Sequence, residues 1–293
     1  RRLRAGALTN KTKTDKIVKE IGNMPLAENS KELEWIRRYR LIDDTFMRVV
    51  FMNPQCTELL IRCILQNHDL KVLKVESQKE LKNLHGRSVV LDILAADTAG
   101  TYYDIEVQRA DPGAAPKRAR YNSSLLDSYI SKEKERYEDL AESYVIFITE
   151  NDYFGEKFPM YHIERVIQET GELFDDNEHI IYVNGQYRGE DSIGDLMHDF
   201  FCTDPEEMNY PLLAEQVWYY KNDEKGVRSM CRISEEIWAE GEAKGRTEGE
   251  AKGRAEGVKN IMESLHLSFE QACDAMKIAE ESRPKIRELM SQM

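Results

Sequence analysis

The feature that most constrains the fold is a pair of β-rich runs that carry acidic residues. The runs are residues 88–95 (SVVLDILA) and 101–108 (TYYDIEVQ), and the five residues 96–100 separate them. Such an arrangement predicts a β-hairpin. Asp92 lies among apolar residues of the first run. An unpaired buried carboxylate is costly, so Asp92 is expected to need a metal ion, another cation or strong hydrogen-bond donors.

The second run adds polar side chains that can meet Asp92. Asp104, Glu106 and Gln108 share one strand face because side chains alternate along a strand. The hairpin would place Asp92 and Glu106 on neighbouring strands, close enough to bind one hard cation. Two carboxylates, a carbonyl and waters suit Mg²⁺ or Mn²⁺. The alternative is a polar strand face exposed to solvent, and a D…ExQ pattern by itself does not exclude it.

The remaining pattern predicts an α/β core that ends near Gln186. Helical periodicity runs from Glu32 to Gln66 and is broken at Asn53-Pro54. Residues 115–132 are predicted as a helix opened by Pro116. The other predicted strands are residues 70–77, 143–150, 161–168 and 179–187, and helices follow from residue 192 onward. The run 143–150 is continuously apolar, as expected for a strand buried on both faces.

Several stretches together resemble the PD-(D/E)XK nuclease superfamily, in particular the Rpn-type recombination-promoting nucleases, which are described as transposases. The matching stretches are residues 41–48 (LIDDTFMR), 86–92 (GRSVVLD), 102–109 (YYDIEVQR), 117–127 (KRARYNSSLLD) and 144–150 (YVIFITE). The resemblance runs from about residue 32 to 224. It implies a restriction-endonuclease-like α/β core, with a mixed central sheet flanked by helices and a helical C-terminal extension.

The resemblance also implies a function and site residues. The expected activity is divalent-metal-dependent hydrolysis of phosphodiester bonds in double-stranded DNA, in a recombination, mobile-element or defence context, with RNA as a lesser alternative. Asp92, Glu106 and Gln108 match the catalytic motif. Asp92, Glu106 and the backbone carbonyl of Val107 would hold the metal, Mg²⁺ or Mn²⁺.

Gln108 departs from the wider superfamily, which usually has lysine at this position. A glutamine cannot act as a general base or supply a positive charge, although it can orient a water molecule. Water activation would then depend on the metal ion. A catalytically weak or inactive protein that retains the fold and acts as a DNA-binding or oligomerisation module therefore remains an alternative.

Further candidates flank the motif. Either Asp43 or Asp44 could add a metal-facing carboxylate; the family pattern selects Asp43, and N-terminal helix capping is an equally good explanation. A basic run follows the motif and suits contact with the DNA backbone, and ion pairing with an acidic surface is its alternative. The predicted DNA-binding residues are Arg109, Lys117, Arg118, Arg120 and Tyr121.

Four segments are expected along the chain. They are a basic, flexible segment (1–30), a nuclease-like domain with trailing helices (31–225), a charged stretch with glycine at every fourth position (226–262) and a small helical unit (263–293). Within the third, residues 240–257 favour either a frayed linker or a helix whose glycines pack closely against another helix. The second case predicts a homo-oligomer, most simply a dimer, through the C-terminal helices.

The amino-acid composition limits the binding partners and the cellular location that we expect. A net charge of −13 argues against bulk coating of nucleic acid but allows a local basic patch. No run of 18 apolar residues occurs, so no membrane association is expected. The 5 cysteines are dispersed without metal-ligand spacing, which favours reduced thiols and a cytoplasmic location.

Overall fold

The computed structural model describes residues 31–83, 86–134, 136–291 and 293. The predicted basic segment 1–30 lies outside the described residues. The chain divides into two compact units, residues 1–229 and 230–293, and each is described by itself below.

The described part of the first unit begins with three short helices, α1 (Lys31–Arg38), α2 (Asp44–Phe51) and α3 (Pro54–Leu65). The predicted break at Asn53-Pro54 is confirmed: the Asn53 side chain accepts a hydrogen bond from the Gln55 N–H, and Pro54 is the first residue of α3. A second break before α2 was not predicted. It is a turn in which the backbone N–H of Arg40 donates to Asp43 Oδ2 over 2.8 Å.

A six-stranded mixed sheet forms the core of this unit, as the sequence predicted. Its strands are β1 (Val72–Leu81), β2 (Val89–Asp97), β3 (Tyr102–Gln108), β4 (Ser143–Thr149), β5 (Met160–Ile163) and β6 (Glu178–Asn184). They lie in the order β1-β2-β3-β4-β6-β5. Strands β1, β2 and β3 are antiparallel neighbours, whereas β3, β4 and β6 run parallel. Strand β5 is shorter than the predicted strand 161–168, since Val166 forms only an isolated bridge with Leu173.

The predicted hairpin is β2–β3. Its turn closes with a hydrogen bond from the Asp97 N–H to the Thr101 carbonyl, and Gly100 takes a positive φ of 91° that an L-residue rarely adopts. The pairing sets Ile93 opposite Ile105. The open end of the hairpin is the end opposite this turn. One residue pair further toward the open end, the antiparallel register brings Asp92 beside Glu106.

Helices cover the sheet. Helix α4 (Pro116–Ile130), predicted over residues 115–132, contacts β4 and β1, and its Ala119 packs with Phe147 and Tyr182. Phe147 is the register partner of Glu106, and Tyr182 is the register partner of Phe147, so α4 covers the face on which Glu106 lies. Helix α2 contacts β2 and β3, and α3 contacts β1. The sheet therefore lies between layers of helices, as the fold prediction required.

The remaining chain is helical, as predicted. It contains α5 (Ser192–Phe201), α6 (Pro211–Asn222), α7 (Glu224–Leu265), α8 (Phe269–Ala275) and α9 (Arg283–Ser291), with short 3₁₀ turns at Pro205–Glu207 and Glu280–Ser282. Two further 3₁₀ turns, Asp111–Ala114 and Tyr137–Asp139, lie earlier in the chain, on either side of α4. The glycine-repeat residues 240–257 lie within α7. The second unit has its own apolar cluster, and the predicted capping box of Ser268 and Gln271 opens α8. None of the described helices has the length and apolar character needed to cross a membrane.

Candidate active site

The open end of the hairpin places two of the predicted catalytic carboxylates together. The Asp92 N–H donates to Glu106 Oε1 over 3.4 Å, and the Val107 N–H donates to Asp92 Oδ2 over 3.3 Å. Gln78 on β1 donates its side-chain amide to Asp92 Oδ1 over 3.3 Å. Three neighbouring strands thus fix the position of Asp92, which is half-buried beside Glu106.

Glu106 is the most enclosed of the predicted catalytic residues, because its side chain is 0% exposed. Its Oε2 accepts a hydrogen bond from the Gln108 side-chain amide over 3.1 Å and pairs with Arg118 Nη2. Arg118 Nη1 donates to the Gly113 carbonyl over 2.7 Å, and its guanidinium lies 5.8 Å from the centre of the Phe147 ring. Arg118 is therefore a positioned cation on the buried carboxylate.

Gly113 leaves the space that Gln108 occupies. A Cβ atom built on Gly113 would lie 2.0 Å from Gln108 Oε1, which is far inside van der Waals contact. The glycine precedes α4 in the 3₁₀ turn Asp111–Ala114. Gly113, in the loop from β3 to α4, thus contacts both Gln108 and Arg118, the two side chains that contact Glu106 Oε2.

A further carboxylate, Asp104, lies on the same strand face and is fully buried. Its Oδ2 accepts a hydrogen bond from the Asn122 side-chain amide over 3.0 Å. Among the described residues, Asp104 Oδ1 and Asn122 Oδ1 find no hydrogen-bond partner. Two buried acceptor oxygens without donors are unusual in a folded protein, where almost all such groups are satisfied.

Burial makes the charged forms of these acids unfavourable. Desolvation raises the pKa of Asp92, of Asp104 and of Glu106 above their usual values. The negative charge of Asp44 raises the pKa of Asp92 further, and Asp104 and Asp92 do the same for Glu106. The opposing effect of Arg118 on Glu106 is smaller than these contributions. The acids of the cluster therefore outweigh the stabilising effect of Arg118.

The chemistry of this donor set fits a hard divalent cation. Asp92 and Glu106 supply carboxylate oxygens on adjacent strands. In a strand the N–H and C=O of one residue point to the same side, and the Val107 N–H points to Asp92. Its carbonyl therefore faces the β2 side as well. Within the described part of the chain, no group of three or more His, Cys, Asp or Glu residues has the geometry of a metal site, so waters and the substrate would complete the coordination.

The two aspartates of the first helices occupy different surroundings. Asp43 stands at the N-cap position of α2 but makes no capping hydrogen bond with its side chain. Its Oδ1 lies 3.4 Å from Arg40 Nη2 and 3.0 Å from Arg109 Nη1. Asp44 pairs with Arg48, and its charge is the one that acts on Asp92. Asp43, which the sequence pattern selected, is thus engaged by two arginines.

The predicted DNA-binding residues divide into four groups. Arg118 contacts the site, as described above. Arg109 pairs with Asp43 and with Glu150. Lys117 and Arg120 are exposed on α4. The Tyr121 hydroxyl donates to the Arg87 carbonyl and accepts from Asn83, so it ties α4 to the loop between β1 and β2.

Sequence reasoning had not singled out Asn122, Gln78 or Gly113. A signal existed for Asn122 alone: it lies four residues after Arg118 and so shares its helix face. Nothing in the local pattern of Gln78 or Gly113 indicated a contact with the site, because both contacts depend on tertiary packing.

Comparison with known protein families gives a match to the core of the chain. The family model of the PD-(D/E)XK nuclease family transposase matches residues 42–186. This range begins just before Asp43 and ends just after β6, so it includes the whole sheet, α4 and every candidate residue above. No curated protein and no solved structure matches the chain.

Proposed function

We propose, from the membership of residues 42–186 in the PD-(D/E)XK nuclease family of transposases, that the protein is a divalent-metal-dependent endonuclease. Its substrate would be double-stranded DNA, and its setting recombination, mobile-element movement or defence. The observation that carries the proposal is the contact between Asp92 and the fully buried Glu106 at the open end of the hairpin. A pair of buried acids is costly in a protein unless a cation balances it.

Mg²⁺, with Mn²⁺ as a substitute, is the proposed cofactor. Asp92, Glu106 and the Val107 carbonyl would hold it. A metal ion bound there polarises the scissile phosphate and makes a bound water a better nucleophile. The residues of the chain position these ligands: Gln78 and the Val107 N–H orient Asp92, and Gln108 orients Glu106.

Arg118 would supply the positive charge that Gln108 cannot. Its guanidinium pairs with Glu106 and is held by the Gly113 carbonyl, while its side chain remains 36% exposed. A guanidinium open to solvent on one side can also contact a phosphate that approaches the metal ligands. Arg118 is thus proposed to neutralise Glu106 before substrate binds and to face the phosphate afterwards.

The test is nicking of supercoiled plasmid by purified protein with and without Mg²⁺. Asp92→Ala and Glu106→Ala should each reduce the cleavage rate by about three orders of magnitude, because they remove metal ligands that stabilise transition-state charge. Glu76→Gln is a matched control: Glu76 lies on β1, and its carboxylate pairs with Lys74 and Lys79. Cleavage by both alanine variants at the wild-type rate would refute the assignment.

A second candidate is a non-catalytic DNA-binding or oligomerisation module. The observation that favours it is the engagement of the Gln108 amide with Glu106, which takes that amide away from a water molecule. Absence of nicking by every variant, with Mg²⁺ or Mn²⁺, would support this candidate. An RNA duplex in the same assay would separate RNA from DNA as the substrate. The free thiols of all described cysteines are in keeping with the proposed cytoplasmic location.

A homodimer through α7 is also proposed. Within the described residues, a Cβ atom built on Gly241, Gly245, Gly249 or Gly253 would meet nothing within 4 Å. Glycines in a helix cost about 1 kcal/mol each relative to alanine, and close approach of a second helix would offset that cost. Light scattering of the full chain and of a chain truncated at residue 240 should give a dimer and a monomer respectively. Equal subunit numbers would refute the dimer.

A further inference from the structure

The carboxyl ends of the parallel strands β3, β4 and β6 lie at one edge of the sheet, beside the candidate active site. Gln108, Thr149 and Asn184 are register partners there. Neighbouring strands lie about 4.8 Å apart, so the residues that follow β6 lie roughly 10 Å from those that follow β3. This edge continues the surface of the site toward β6.

Arg188, shortly after β6, is an immobilised cation on this edge. Its Nη1 donates to the carbonyls of Gly185 and Tyr187, each over 2.6 Å. Its guanidinium lies 4.9 Å from the centre of the Phe201 ring. The residue is exposed nonetheless. Its rotamer is therefore fixed while part of the guanidinium still faces solvent.

Arg188 has no acidic partner within 4 Å in the described part of the chain, although the protein has 54 acidic residues against 41 basic ones. The described hydrogen bonds of its side chain use only Nη1. Its Nε and Nη2 remain for a planar, bidentate anion, which is the geometry that a guanidinium offers to phosphate.

Arg40 connects this cation to the active site. Its guanidinium lies 5.6 Å from the centre of the same Phe201 ring. Its Nη2 lies 3.9 Å from Glu150 Oε1, and Glu150 pairs with Arg109, the residue directly after Gln108. Three guanidinium groups thus follow one another along the edge, and the acids among them engage Arg40 and Arg109 rather than Arg188.

We propose that Arg188, with Arg40 beside it, binds a backbone phosphate of double-stranded DNA on the β6 side of the active site. This inference rests on the proposed function and adds the path of the DNA strand beyond the scissile phosphate. A phosphate contact fixes the register of the DNA without reading its sequence. A guanidinium whose conformation is already fixed loses little entropy when it binds.

The test is the affinity for a fluorescent DNA duplex, measured by anisotropy over a series of salt concentrations with Ca²⁺ in place of Mg²⁺. Arg188→Gln should weaken binding about tenfold, the effect of one charge-assisted hydrogen-bonded contact. The slope of log K against log salt should become shallower by about 0.9, the value for one phosphate contact. A purely structural role would leave that slope unchanged. Arg188→Lys should keep the slope because it keeps the charge.

Arg165→Gln is the matched control. It removes the same charge from an arginine that pairs with Asp176 and Glu178, and Glu178 begins β6 at the opposite edge of the sheet. Equal affinity and slope for Arg188→Gln and Arg165→Gln, with tight wild-type binding, would overturn this inference alone. Wild-type binding without plasmid cleavage would overturn the proposed hydrolysis and leave the phosphate contact to be judged by the two variants. Absence of wild-type binding would overturn both.

Discussion

The β2–β3 hairpin buries acidic side chains near both of its ends, and the two ends satisfy them differently. At the turn, Asp97 accepts hydrogen bonds from the N–H groups of Ala99 and Thr101, each over 2.9 Å, and from the Tyr103 hydroxyl over 2.8 Å. Toward the open end, Asp104 has one donor and an unpartnered oxygen. Glu106 nearby depends on Arg118 for its charge balance.

This difference separates a carboxylate that its own turn satisfies from the acids of the proposed active site. Asp97 is satisfied by its own turn, so nothing further is needed to hold its charge. The acids toward the open end have raised pKa values because desolvation and mutual repulsion outweigh their donors. Perturbed pKa values of this kind concentrate at functional sites. The proposed metal ion would offset the excess of acidic groups at the open end.

The largest expected effect comes from removing Arg118, the cation that pairs with Glu106 at the open end. Arg118→Gln leaves Glu106 buried without its charged partner, and breaking a buried pair in this way costs about 3 kcal/mol. Urea unfolding in EDTA measures the loss. Arg120→Gln removes the same charge from the exposed surface of the same helix and should change the free energy of unfolding by less than about 0.5 kcal/mol.

A double variant tests the cause of that loss. Glu106→Gln combined with Arg118→Gln should recover most of the stability, because it removes the unpaired charge as well as its partner. If the double variant is as unstable as the sum of the two single variants, Arg118 stabilises the fold through packing alone. The comparison between the two hairpin ends would then lose its electrostatic basis.

The second prediction contrasts the two buried aspartates directly. Asp97→Asn should destabilise the protein by about 2 kcal/mol, since an amide nitrogen would face a donor where an oxygen now accepts. Asp104→Asn should instead stabilise it by about 1 kcal/mol. The new amide can donate to Asn122 Oδ1, and a buried charge beside Glu106 disappears. Urea unfolding at pH 8 without divalent metal measures the change in the free energy of unfolding of both variants. Destabilisation of equal size in the two variants would contradict the distinction between Asp97 and Asp104.

The sequence predicted the hairpin and the approach of Asp92 to Glu106, because alternation and turn length fix the register locally. It did not predict the pairing of Arg118 with Glu106 or of Asn122 with Asp104. Helical spacing indicates that positions 118 and 122 share a face, but it does not say which part of the sheet that face covers. Arg109 shows the same limit: its partners Asp43 and Glu150 are distant in sequence and were brought to it by tertiary packing.

The smallest expected effect is a dependence of stability on pH that arises from Asp104. The pKa of Asp104 is raised in the folded protein by desolvation and by the charge of Asp92. The folded state then binds more protons than the unfolded state at pH values above about 4, the usual pKa of a carboxyl group. Stability attributable to Asp104 is therefore full at low pH and falls as pH rises toward neutrality.

The free energy of unfolding of wild type minus that of Asp104→Asn isolates this contribution, because most other titrating groups cancel. We expect the difference to become more negative by about 1 kcal/mol between pH 5 and 8 in EDTA. Added Mg²⁺ should reduce the change, since a bound cation favours the charged acids. A difference that stays constant between pH 5 and 8 would contradict a contribution from the protonation of Asp104.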